Sequence, residues 1–296
     1  MMAEPIEVEL LVDARAIVGE GPIWDPRDNR LIWVDIMGHK VHRYDPASGQ
    51  DEAFDVGQPV GAAATRASGG LVLAVHDGFA TLDLATGRVE LLAPVEQDIP
   101  HNRMNDGRVD SAGRFWAGTM PYEWQERVGQ GALYRLNADH TVERIFGGVT
   151  ISNGIDWSPD DRLMYYVDSP TQRLEVFDYD AASGAISNRR TLVEIPSEVG
   201  LPDGLTVDAE GYIWLAVWGG WRIQRYSPDG RLDREVRLPV SQGSSCCFGG
   251  PDLMDLYITS ATSGLAEAQL RQEPHAGALW RCRPGVKGKA PHSYKG

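Results

Sequence analysis

Four oxygen-bearing side chains recur at one place in a repeated phrase. Glu20 heads "EGPIWDPRDNRLIWVD", Asn153 heads "NGIDWSPDDRLMYYVD" and Asp203 heads "DGLTVDAEGYIWLAVW". Asn105 heads a fourth copy, "NDGRVDSAGRFWAG". Each stands 11 to 13 residues before an apolar anchor, Trp33, Trp116, Tyr165 or Trp214. Four residues on comes Trp24, Val109, Trp157 or Val207, and the next position is Asp25, Asp110, Ser158 or Asp208. Two carboxylates and two amides gathered at one point would repel one another if nothing lay between them. Oxygen-only donors suit a hard divalent cation such as calcium, magnesium or manganese. No histidine shares the position, which weakens the case for a zinc-type site. Any one "NG", "DG" or "EG" pair is ordinary turn punctuation. Turns alone do not require an acid or amide at matched positions of four repeats.

The repeat itself predicts the frame. Apolar alternations centred on Trp33, Leu73, Trp116, Tyr165, Trp214 and Tyr257 follow one another at intervals of 40 to 49 residues. After each anchor comes a second alternating run, then turn residues such as "DPASG" or "SPDG", then a more polar run such as "DEAFDV" or "REVRLPV". Period-two alternation on that spacing, with no sustained helical period, predicts an all-β, six-bladed propeller of four-stranded antiparallel blades. One domain over 1–296 is expected. The sixth unit lacks its outer run, and "IEVELLVDA" near the N-terminus supplies a match. Residues around 6–12 are therefore expected to close the ring, removing free sheet edges. "GLAEAQLRQEP" is expected as a short helical insertion in the last blade. Innermost strands line a propeller's channel, so Glu20, Asn105, Asn153 and Asp203 should form a ring at one mouth. Blade 2 ("PVGAAAT") offers nothing polar there, and blade 6 offers Ser245 and Cys246.

Bulk properties narrow the partners. The 296 residues are 42% hydrophobic and 24% charged, ordinary for a soluble globular protein. The formal net charge is −14, which repels nucleic acid and anionic membranes, so neither is an expected partner. The three cysteines, two of them adjacent, make neither a disulfide framework nor a CxxC metal site, and a reducing compartment is expected. The opening "MMAEPIEVEL" lacks the basic and apolar regions of a signal peptide, and no apolar run reaches membrane-spanning length. A cytoplasmic protein, monomeric or weakly self-associating, is the expectation.

Long motifs then point to a family. "GEGPIWD", "NRMNDGRVDSAGRFWAGTM", "ISNGIDWSPD", "FDYDAASGAISNRR", "PDGLTVDAEGYIWLAVW", "SSCCFGG" and "GVKGKAPHSY" resemble the senescence marker protein 30 / gluconolactonase family, also called regucalcin. The likeness runs from about Gly19 to the C-terminus. It implies metal-dependent hydrolysis of sugar lactones, with metal ligands at Glu20, Asn153 and Asp203. It also implies that Asn105 touches metal or substrate, and that Arg103 and Glu123 contact sugar hydroxyls. Met104 stands where relatives often carry Pro or Phe. The loop "MPYEWQERVGQ", with Tyr122 and Trp124, looks particular to this chain. Both bear on substrate choice.

Lactone hydrolysis passes through a tetrahedral oxyanion, which one divalent cation, calcium first, with zinc, manganese or magnesium as alternatives, would stabilise as a Lewis acid. Asp203 is the expected catalytic base and Asn105 would orient water or the ring oxygen. Arg103 would bind sugar oxygens through its planar fork, the competing reading being a surface pair with Asp106 or Asp110. His101 could act as base, though a loop histidine is more often only solvated. Cys246 and Cys247 read as small packing residues. No GxSxG appears, so a serine triad finds no support. Two other functions compete: an esterase or phosphotriesterase on the same ligands, and a calcium-binding propeller without catalysis.

Overall fold

The computed structural model describes residues 6–296. The strands gather into six four-stranded antiparallel sheets. Blade 1 runs outward from Gly19–Asp25 through Arg30–Asp35 and Lys40–Asp45 to Gln50–Asp55. Blades 2 to 5 repeat that order from inner strands Val60–Thr65, Asn102–Val109, Ser152–Trp157 and Leu201–Val207. Blade 6 starts at Gly243–Gly249 and ends differently: its outermost strand is Glu9–Val12, antiparallel to Leu279–Cys282 with Leu10 opposite Trp280. The first and last segments thus share a sheet, as the missing sixth outer run predicts. The insertion in blade 6 carries a helix at Glu267–Gln272.

Blades pack face against face, so the middle strands are covered on both sides. That is why "LIWV" and "LVLAV" read as near-continuous apolar runs and are buried throughout, while the outer strand Gln50–Asp55 alternates toward solvent. Aromatic pairs fill the seams: Phe79 meets Phe115 at 5.7 Å between ring centroids, Trp116 meets Trp157 at 5.8 Å, Trp214 meets Phe248 at 5.6 Å and Trp24 meets Tyr257 at 5.9 Å. The acid five positions after the repeat head also has a packing role. Asp110 and Asp208 are fully buried and accept the indole N–H of their own blade's anchor, Trp116 at 2.8 Å and Trp214 at 2.9 Å.

The repeat heads lie inside strands, not in turns. Every inner strand breaks register at the same level, between Glu20 and Ile23, Val60 and Ala62, Met104 and Gly107, Ser152 and Ile155, Pro202 and Leu205, and Gly243 and Ser245. A β-bulge re-aims a side chain, here toward the axis. The glycine that follows serves the neighbouring blade. A Cβ on Gly154 would fall 2.7 Å from the Asp203 carbonyl oxygen, and one on Gly61 would strike the backbone of Asn105. The bulge also corrects one expectation. In blade 6 the bulge leaves Ser244 unpaired with its hydroxyl donating to the Gly19 carbonyl, and neither it nor Ser245 nor Cys246 lines the axial cavity.

The far mouth is closed by the chain's end. Lys289 puts its ammonium 2.6 Å from Asp156, and Tyr294, fully buried, donates its hydroxyl to the Asn137 carbonyl. Gly61→Ala is expected to destabilise the fold by about 1–3 kcal/mol, since the new methyl meets rigid backbone rather than a movable side chain. Urea unfolding at constant slope would measure it; an unchanged midpoint would contradict the close approach.

Candidate functional site

The inner strands bring Glu20, Asn105, Asn153 and Asp203 to the floor of one cavity of about 210 Å³, opening at the mouth opposite the C-terminal segment. All four are buried. Local structure holds them there. Asp35, at the end of blade 1's second strand, accepts the N–H groups of Ile17 and Val18 at 3.0 Å each and so fixes the chain leading into Glu20. Asp168 does the same in blade 4, accepting from Thr150 and, at 2.9 Å, from Ile151, just ahead of Asn153.

A chain of hydrogen bonds crosses the floor. Arg103 donates to Asn105 Oδ1 at 2.7 Å. Asn105 Nδ2 donates to Asn153 Oδ1 at 2.7 Å and to the Ser152 carbonyl at 2.8 Å. Asn153 Nδ2 donates to Ser169 Oγ at 2.7 Å. Each amide is thereby oriented, the Asn153 oxygen by the hydrogen bond it accepts from Asn105. Glu20 is anchored from its own blade, one carboxylate oxygen accepting the Gly21 N–H at 2.8 Å.

The electrostatics are unbalanced. Burial, then the charges of Asp203 and Asp106, push the Glu20 carboxyl well above the usual range. Burial, then Asp106, does the same to Asp203. Asp106 occupies the place where the neighbouring repeats carry glycine, and burial with Asp156 nearby raises it to about 6 against the pull of Arg108. Toward the far mouth the balance is restored: burial opposes the Asp156 charge, but Lys289 and Arg108 outweigh it and hold its carboxyl low. Among the described residues Arg103 is the one cation lining this cavity, and burial lowers it to about 10.

This arrangement fits a divalent cation. The donors are hard oxygens, two carboxylates lack a matching positive group, and the Asn153 amide is held from both ends by Asn105 and Ser169. Among the described residues no three His, Cys, Asp or Glu side chains cluster to hold a metal, so a cation here must draw on amide oxygen as well.

The remaining expected residues divide. Arg103 lines the cavity and pairs with neither Asp106 nor Asp110; Asp110 is taken by Arg114 at 2.6 Å. Trp124 reaches the cavity wall. Tyr122 and Glu123 stay outside it, Tyr122 bonded to His76 at 3.1 Å and Glu123 exposed with Arg127 at 3.5 Å. His101 is bonded to Gln130 at 2.9 Å and does not line the cavity. Cys246 and Cys247 are buried, free thiols, and burial holds both thiol groups protonated by raising their pKa. Sequence reasoning missed Ser169 and Asp106. Asp106 had a signal, since it breaks the residue-then-glycine pattern of the other heads; Ser169 had none, lying 16 residues beyond the side chain it supports.

Six four-stranded blades closed into a ring define a recognisable class of protein. The chain belongs to the SMP-30/Gluconolactonase/LRE-like family, whose profile matches residues 18–262. It is 42% identical to regucalcin of Xenopus laevis over 98% of this chain and 99% of that protein. Among solved structures it resembles a luciferin-regenerating enzyme at 35% identity, covering 98% of this chain and 99% of that one, with a TM-score of 0.91. It also resembles regucalcin of Agrobacterium tumefaciens, described as a calcium-binding protein, at 31% identity and 98% of both chains, with a TM-score of 0.94.

Two outcomes follow from the floor. Ser169→Ala should weaken divalent-cation binding about ten-fold in titration calorimetry, because Asn153 loses the partner that orients it; unchanged affinity would contradict that support. The raised carboxyl groups also fix a sign. The folded chain holds protons that the unfolded chain releases, so cation-free protein should lose stability as pH climbs from the ordinary carboxylate range through about 6. Asp106→Asn should flatten that fall in urea unfolding under chelator, and a stability that rises over the interval would contradict it.

Proposed function

We propose that this chain is a divalent-cation-dependent lactonase that opens sugar lactones of the gluconolactone class. The carrying observation is the convergence of Glu20, Asn153 and Asp203 oxygens, with Arg103 beside them, on the floor of a cavity sized for a small molecule. The family's name supports lactones as the substrate class.

Glu20, Asn153 and Asp203 would hold the cation, which supplies Lewis-acid polarisation of an ester carbonyl when bound. The chain's own groups account for the rest. Asp203, placed to touch both the cation and the attacking water, accepts that water's proton. Water adds to the acyl carbon, the ring C–O bond breaks, and the departing alkoxide takes a proton to give the hydroxy acid. Arg103, its guanidinium fixed by Asn105 and the Met104 carbonyl, directs its remaining N–H groups at oxygens of the bound ring. Asn105 holds Arg103 and Asn153 in register, a positioning part rather than a proton-transfer one. Glu123, outside the cavity, has no part in this reading.

A second reading, calcium binding without turnover, is favoured by the description of the Agrobacterium relative. One assay separates the two. Chelator-stripped protein, reloaded in turn with calcium, manganese, zinc and magnesium, is given gluconolactone in a pH-stat. Lactonase activity should vanish with chelator and return with metal, and Asp203→Asn should lower kcat by at least about a hundred-fold while thermal unfolding stays cooperative. Full-rate hydrolysis under chelator, or by Asp203→Asn, would contradict the proposal.

A further inference from the structure

Behind Arg103 stands a carboxylate that the mechanism does not use. Arg103 and Met120 face each other across the inner and second strands of blade 3, and both line the cavity. Successive residues of a strand point to opposite faces. The neighbours of this pair, Asn102, Met104, Thr119 and Pro121, therefore present the reverse face of the same two strands, and none of them lines the cavity. Glu96 grips that reverse face. Its carboxylate accepts from Asn102 Nδ2 at 2.8 Å, from the Thr119 hydroxyl at 3.1 Å and from the Tyr134 hydroxyl at 2.7 Å. One half-buried side chain thus ties together the inner, second and third strands of blade 3. All three donors are buried. Burial, then the hydrogen bond to Glu96 and its charge, pushes the Tyr134 phenol up and keeps it a donor.

The backbone is bent to deliver this group. Glu96 has a φ of 52°, in the left-handed region that residues other than glycine seldom adopt. Two tight turns follow, closed by the Ile99 N–H on the Glu96 carbonyl at 2.8 Å and the Asn102 N–H on the Ile99 carbonyl at 3.0 Å. They lead straight into the strand that carries Arg103. Such a conformation persists where surrounding contacts impose it, and the three donors impose it here.

The Arg103 segment needs that grip. The ladder between the inner and second strands is interrupted between Met104 and Gly107, so residues 102–104 form a short paired end beyond the bulge. On the cavity face, Arg103 Nη1 donates to the Met104 carbonyl at 3.0 Å and to Asn105 Oδ1 at 2.7 Å. Both acceptors belong to its own strand. They fix the guanidinium to the strand, and Glu96 fixes that end of the strand to the blade. Asn102 also donates to the Gln130 carbonyl at 3.0 Å, at the end of the loop that carries Trp124.

We propose that Glu96 is a positioning residue for the lactonase site: by holding Asn102 and Thr119 from behind, it sets where the Arg103 guanidinium meets the substrate. This rests on the lactonase reading for the role of Arg103.

The test is a double-mutant cycle on calcium- and manganese-loaded protein with gluconolactone as substrate. Glu96→Ala should raise KM about ten-fold while kcat falls less than about three-fold. Cation affinity in calorimetry should stay within about two-fold, because Glu20, Asn153 and Asp203 belong to other blades. In an Arg103→Met background, Glu96→Ala should move KM no further. Glu96→Gln keeps an oxygen for both hydroxyls and offers an N–H to a flipped Asn102 amide, so its KM should return to within about two-fold of native. Glu96→Asp, with its carboxylate drawn back by one carbon, is the second variant should Glu96→Ala unfold, and should show the same dependence on Arg103. Nitrogen NMR of the Arg103 guanidinium gives a readout apart from activity: its rotation should be hindered in the native protein and freer in Glu96→Ala or Glu96→Asp. KM effects that add in full to those of Arg103→Met, or guanidinium rotation that neither variant changes, would overturn the proposal and leave the lactonase standing. A native protein that opens no lactone with any metal would instead sink the lactonase reading, with the NMR comparison still deciding whether Glu96 positions Arg103.

Discussion

Negative charge buried on a rotation axis is the constraint from which the rest follows. Glu20 and Asp203 come from opposite regions of the chain, lie out of water, and share their surroundings with Asp106. Without a positive partner they tend to stay protonated, and Arg103 alone does not offset them. The cost is stored by a frame that does not yield. Six sheets packed face to face, with aromatic pairs in the seams and the two chain ends joined in blade 6, leave the inner strands no room to move apart. Rigidity of this kind lets a fold hold unfavourable electrostatics ready for a ligand.

The axis is organised along its length as well as around it. Toward the far mouth, Asp156 is satisfied by Lys289 and Arg108, and the last residues of the chain cover the opening. Toward the near mouth the charge is unmatched and the way in is open. One end therefore reads as structure and the other as function, though both use the same residue types. The bulge shared by all six inner strands makes the difference possible, because it lets a side chain leave the packed face of its sheet.

Much of this was legible before any coordinates. The spacing of Trp33, Leu73, Trp116, Tyr165, Trp214 and Tyr257 implied six units, and the stray outer run at the N-terminus implied closure. Glu20, Asn105, Asn153 and Asp203 could be aligned because repetition turns position in sequence into position around an axis. What could not be read depended on contacts between units. The glycines after the repeat heads looked like turn residues, and are instead places where the next blade's backbone comes close. Ser245 and Cys246, aligned with the repeat heads by sequence, stay out of the cavity, because the blade 6 bulge has no sequence mark. Glu123 and Trp124 are neighbours in one loop, yet only the tryptophan faces the cavity, a choice made by loop geometry that no periodicity encodes.

The most direct measurement is crystallographic. Crystals soaked in manganese and recorded at a wavelength where that ion scatters anomalously should give a single strong peak on the axis, in contact with oxygens of Glu20, Asn153 and Asp203. A peak placed elsewhere, or an empty floor at saturating manganese, would contradict the claim that these side chains are gathered to hold a cation.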